Sequence, residues 1–115
     1  MNKVEVGRIL KMYEHYNYKC FVCGGIATQR AHIIGNTKTN LSRYGLNVIN
    51  SDMNWLPACN LYCNALIDIS NNPVKRDLIA MLIEENPGNS DIKELIEEEV
   101  KLSIKRKEGK NGKRV

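Results

Sequence analysis

Histidine is scarce in this chain: of 115 residues, only His15 and His32 carry an imidazole. Chemistry that needs a base titrating near neutral pH has these two candidates. Aromatic residues make up 6%, with one tryptophan and one phenylalanine. A chain this short has limited apolar surface to bury, so a metal staple would matter to it. The longest apolar run lies within residues 78–83, far short of the roughly 20 residues that cross a bilayer. The opening residues hold no apolar segment followed by a small-residue cleavage site, so they do not read as a signal peptide. No internal repeat is visible. A cytoplasmic single domain is therefore expected, with no membrane partner.

Charged residues are 26% and apolar residues 43%, ordinary for a globular protein. The net charge of +4 permits a polyanionic partner without demanding one. Asn, Ile and Lys are abundant, which suits an AT-rich bacterial or phage genome. Four cysteines stand out. They fall as Cys20-x2-Cys23 and Cys59-x3-Cys63, separated by 35 residues. Disulfides are rare in the cytosol, and two short-spaced pairs are what a tetrahedral thiolate site needs. Zn²⁺ suits four thiolates best. Four reduced buried cysteines, or an iron–sulfur cluster, are the other readings.

Val6, Ile9, Leu10 and Tyr13 recur at helical spacing and predict a helix over 3–15. CFVCGG reads as a tight knuckle, and IATQRAHII as a strand. Residues 35–52 form a polar excursion, with a short helix over 39–44 ended by Gly45. A loop of this length in a small domain is usually functional. Pro57 makes any strand there short or an edge. After Cys59 the pattern turns helical, Asn72-Pro73 starts another helix, and Ile92, Leu95, Ile96 and Val100 mark a last one. The tail, 105–115, is basic and glycine-broken, and is expected to lack structure.

Taken in order, CFVCGG, AHII and NWLPACNLYCN resemble the HNH endonucleases with an embedded zinc knuckle, over about residues 19–70. The resemblance implies an α+β fold. Its core is a small ββα-metal (His-Me finger) unit with a structural zinc site at 19–70. An N-terminal helix (1–18) and a C-terminal helical region (71–104) flank it. Carried over, His32 is the general base that activates water. Asn54 is the central asparagine that holds the loop, and Asn64 contacts a catalytic divalent cation. The structural Zn²⁺ would sit on Cys20, Cys23, Cys59 and Cys63. Many family members carry a metal-binding side chain just before the base, where this chain has Ala31.

The residue types suit that chemistry in their own right. Phosphodiester hydrolysis needs a base near neutral pKa and a divalent cation to stabilise developing charge. An amide oxygen suits Mg²⁺ or Mn²⁺. Asp68 follows Asn64 by four residues, so a continuing helix would put both on one face. Arg30, Lys38 and Arg43 are the expected contacts to DNA phosphates, and the basic tail could add sequence-independent affinity. Each residue also has a plain structural use: a satisfied strand-end histidine, turn or helix-start asparagines, a surface aspartate. Trp55 and His15 read as a core and a surface residue. Two functions result. One is a metal-dependent DNA endonuclease, with room for a partner protein or a homodimer. The other is a zinc-knuckle nucleic-acid-binding or adaptor domain with weak or no catalysis.

Overall fold

The computed structural model describes the backbone of residues 2–112 and the side chains of residues 2–108. These residues form a small α+β domain with six helices and one two-stranded antiparallel sheet. Helix α1 spans Lys3–His15 and starts where the Asn2 side chain accepts from the Glu5 N–H at 2.8 Å. Strand β1, Gln29–His32, pairs with β2, Trp55–Ala58, so that Gln29 faces Ala58 and His32 faces Trp55. Both strands are edges, which is why Pro57 is tolerated. The Pro57 carbonyl accepts from Phe21 N–H at 2.9 Å.

Two strands of this length cannot stand alone, and both faces of the hairpin are covered. Side chains alternate across a strand. Ala31, Leu56 and Ala58 join the main core, against which α4 (Leu61–Ile67) packs. On the other face, Trp55 is fully buried, with the guanidinium groups of Arg8 and Arg30 at 4.4 and 4.5 Å from its ring. Asn60 caps α4 by accepting from Cys63 N–H at 2.8 Å.

Between the strands run α2 (Lys38–Tyr44), α3 (Leu46–Ile49) and a 3-10 turn, Asp52–Asn54. Gly45 joins α2 to α3 at φ +88°, a conformation that favours glycine. Asn54, fully buried, fastens this excursion. Its Nδ2 donates to the carbonyls of Ile34 (3.0 Å) and Ile49 (2.9 Å), and its Oδ1 accepts from Ile34 N–H at 2.8 Å. Asn40 is also buried and donates to the Gly35 carbonyl at 2.9 Å.

Helix α5, Pro73–Glu85, starts on the Asn72 cap with proline in its first turn, as the sequence predicts. Helix α6, Ser90–Gly112, packs against α4 and α5. It takes in most of the basic segment expected to lack structure; residues 113–115 lie outside the described residues. Part of the reason is Lys107, whose Nζ donates to the carbonyls of Leu66 (3.2 Å) and Asp68 (2.7 Å). This satisfies acceptors left free at the C-terminal end of α4. No helix among the described residues is long and apolar enough to cross a membrane.

Asn54→Ala should strip partners from three buried backbone groups at once. We expect a loss of about 3 kcal/mol or more of folding stability, read by urea denaturation, whereas Asn36→Ala on the exposed surface should change little.

Candidate metal centre and candidate active site

The fold brings the four cysteine sulfurs to within 4.8 Å of one another. The first pair precedes β1, and the second brackets the junction of β2 and α4. Cys23 and Cys59 Sγ are 3.4 Å apart, Cys59 and Cys63 Sγ 3.6 Å. A tetrahedral Zn²⁺ with bonds near 2.3 Å puts sulfurs about 3.8 Å apart, so this cage fits a metal ion such as zinc. Backbone N–H groups turn inward onto the sulfurs, Val22 to Cys20 at 3.4 Å and Gly25 to Cys23 at 3.5 Å. Burial opposes ionisation of Cys20, yet N–H groups of Cys23, Val22 and Cys59 bring its thiol down to about 7. Its neighbours respond the other way. Hydrogen bonding to Cys23 pushes the Cys59 thiol up, and burial pushes up that of Cys63. A bound cation would reverse that opposition and take all four as thiolates. Thr28 Oγ1 donates to the Cys59 carbonyl at 2.9 Å, tying the first arm to the second.

His32 closes β1 on the face shared with Trp55, whose ring lies edge-on at 6.5 Å. Burial lowers its pKa below the ordinary histidine value; Arg30 lowers it further, while Asp68 and Glu5 pull upward. The imidazole is therefore neutral at pH 7. Asn54 holds the two residues that follow: Ile33 N–H donates to its carbonyl at 2.9 Å, and Ile34 N–H to its side chain.

Asn64 sits on α4 toward β1 and donates through Nδ2 to Gln29 Oε1 at 3.2 Å, which leaves its Oδ1 free of that bond. Asp68 lies one turn on from Asn64: its N–H still donates to the Asn64 carbonyl at 3.3 Å and its φ of −63° is helical, so its Cβ keeps the helical position. Helix α4 ends at Ile67, and Asp68 is the C-cap, with extended backbone at ψ 120°. Ser70 N–H donates to Asp68 Oδ1 at 2.8 Å, and Ile69 N–H reaches back to the Ile33 carbonyl at 2.8 Å. The turn is thus captured before the helix can continue. Ala31 is fully buried among core side chains, so a carboxylate there would enter apolar surroundings instead of an open site.

The expected phosphate contacts are differently occupied. Arg30 pairs with Glu5 at 2.8 Å beneath α1, and Arg43 holds Asp77 through two nitrogens at 3.2 and 3.1 Å. Lys38 alone of the three is exposed with no ion pair among the described residues. His15 is exposed and Trp55 is core, as read. Sequence reasoning missed Gln29, whose role depends on a helix 35 residues away. It also missed Ser70, which ties Gly35 to the segment after α4: Gly35 N–H donates to Ser70 Oγ at 2.9 Å, and a Cβ at Gly35 would meet that oxygen at 3.3 Å. Comparison with protein-family models, curated proteins and solved structures finds no match to this chain, so the site is read from its own geometry.

Purified protein should carry about one zinc per chain, read by metal analysis. Stripping the metal, or Cys63→Ser, should cause a cooperative loss of structure, because ligand-set and folding free energies are one quantity in such sites.

Proposed function

We propose that the chain is a metal-dependent HNH-type endonuclease that hydrolyses phosphodiester bonds in DNA, with His32 as general base. The observation that supports this most is an association in space. A half-buried, neutral histidine ends the first strand of a hairpin, next to a turn locked by a buried asparagine. Both are followed by a helix whose start carries the second cysteine pair. On this reading the unit of β1, β2 and α4 is a ββα-metal core.

His32 accepts the proton of the attacking water, for which a neutral imidazole is the required form. Asn54 fixes the backbone on the far side of that imidazole, so the ring cannot drift with the excursion. Asn64 Oδ1 and the Asp68 carboxylate are the oxygen donors for Mg²⁺ or Mn²⁺, a set suited to a hard cation that also takes water and phosphate oxygens. Such a cation supplies charge stabilisation at the phosphate and leaving oxygen. Lys38 is the exposed cation available to a neighbouring phosphate.

A second reading has its own support. Among the described residues, the four cysteines are the only group of three or more His, Cys, Asp or Glu side chains within ligand reach. With Arg30 and Arg43 already paired, a nucleic-acid-binding or adaptor domain with little catalysis is the alternative.

Nicking of supercoiled plasmid in Mg²⁺ or Mn²⁺, against metal-free buffer, separates the two. His32→Ala should cut nicking about a hundredfold while zinc content and melting temperature hold. Asn64→Ala should abolish nicking. Activity in His32→Ala equal to the parent would sink the assignment.

The pH profile adds a second check. Because burial depresses the His32 pKa, kcat/KM should rise with pH along an acid limb lying below the ordinary histidine value and be flat at neutrality. A limb above that value would mean another group is the base.

A further inference from the structure

A cleft of about 240 Å³ opens between α1, the 3-10 turn and the start of α6. At ~30 Å³ per water it has room for about eight waters, the scale of a small organic molecule. Its accessible lining is mainly apolar, with Met12, Tyr16 and Met53 among it, while Arg8, Lys11 and Lys93 bring positive charge against the one carboxylate of Asp52. Lys93 is the unusual member. It keeps some solvent exposure as a residue, but its amine turns inward and donates to the carbonyls of Met53 and Trp55, both at 2.9 Å. Burial draws its pKa down to about 8, against the upward pull of Glu97 and Asp52.

Neither carboxylate forms an ion pair with that amine. Asp52 is held by Arg8 Nε at 2.6 Å, and Glu97 accepts from the Tyr16 hydroxyl. Neutral carbonyls satisfy the amine's hydrogen bonds but not its charge. Lys11 has no ion pair among the described residues either. Trp55, on the same lining, has an indole N–H that is buried without a hydrogen-bond partner. The cleft thus combines apolar walls with unmatched positive charge. Asp52 and Glu97 remain close enough to oppose a second negative charge on any occupant.

We propose that this cleft binds a small monocarboxylate with an apolar body. Its carboxylate is received by Lys93 and by Lys11 and His15, and its body lies against the exposed edges of Met12, Met53 and Tyr16. The site is separate from the candidate active site and does not depend on its chemistry.

Trp55 is the chain's single tryptophan and lies buried beneath the cleft, so its fluorescence responds to occupancy through the side chains that cover it. Cyclohexanecarboxylate, titrated at constant ionic strength, should change that fluorescence saturably, with matching heat in calorimetry. Cyclohexylmethanol, the same shape without charge, and inorganic phosphate, charge without an apolar body, should bind at least about tenfold more weakly, the usual scale of a lost charge-assisted contact. Lys93→Met should weaken the carboxylate by a similar factor. Lys11→Glu and His15→Glu, at exposed positions that leave the core alone, should weaken it further if combined and keep the test open should Lys93→Met not fold. No saturable response, phosphate binding as tightly as the carboxylate, or affinity unchanged in Lys11→Glu/His15→Glu would each overturn the proposal.

Discussion

Four sulfurs at one end of a short hairpin set the geometry of everything else in this chain. Strands of four residues contribute too few hydrogen bonds and too little apolar surface to hold each other. The cysteine pairs lie just outside the strands, one before β1 and one after β2, and their convergence closes a loop whose entropy would otherwise oppose pairing. Zinc in such a cage could contribute on the order of 10 kcal/mol to folding, comparable to the whole stability of a typical domain. The same cage fixes the first turn of α4, because Cys63 belongs to that turn. The helix direction, and with it the position of Asn64 against Gln29, is tied to the convergence of the four cysteines.

The opposite end of the hairpin is held differently. There the strands diverge into the excursion, and one buried amide replaces the missing ladder by bonding Ile34 on both its N–H and its carbonyl. An amide suits this place because it offers two donors and an acceptor together, whereas a carboxylate offers no donor and a hydroxyl only one. The outer edge of β2 is closed by a third device, the Lys93 amine on the carbonyls of Met53 and Trp55. His32 therefore sits on a strand end constrained from three directions. Its imidazole can stay half-buried and neutral without the surrounding backbone having to be a large sheet.

Features that depend on neighbours in sequence were legible. The cysteine spacing, the Asn72-Pro73 start, the helix over 3–15 and the Gly45 stop are local signals, and each corresponds to an element in place. Asn54 was singled out only through the resemblance, and its buried hydrogen bonds suit the loop-holding role. What failed needed tertiary information. That α4 stops at Asp68, which caps the helix instead of lying within it, depends on contacts from Ser70 and Ile33. The charged tail reads as solvated by composition, but Lys107 finds carbonyls at the end of a helix about 40 residues earlier. Gln29 is an ordinary polar strand residue until α4 crosses it.

Charge shows the same dependence on the fold. The sequence offers 17 basic residues against 13 acidic ones, which invites a count of phosphate contacts. Many of those cations are already committed. Arg8 goes to Asp52, Arg30 to Glu5, Arg43 to Asp77, Lys75 to Glu99, and Arg76 to Tyr44 and the Ser70 carbonyl. A guanidinium reads a base edge through its paired N–H groups, and Arg43, the most exposed of these arginines by side chain, would have to leave Asp77 to do so. Among the described residues the cations without an ion pair include Arg106 on α6 and lysines such as Lys38, which meet a phosphate as point charges without a preferred plane. On the proposed function, attraction to DNA would then come from net positive charge and backbone phosphates. Such binding weakens steeply as salt rises and discriminates little between sequences. A small scaffold that uses its arginines to hold itself together has few left for reading bases, so sequence selectivity would have to come from a partner protein or a second copy of the chain.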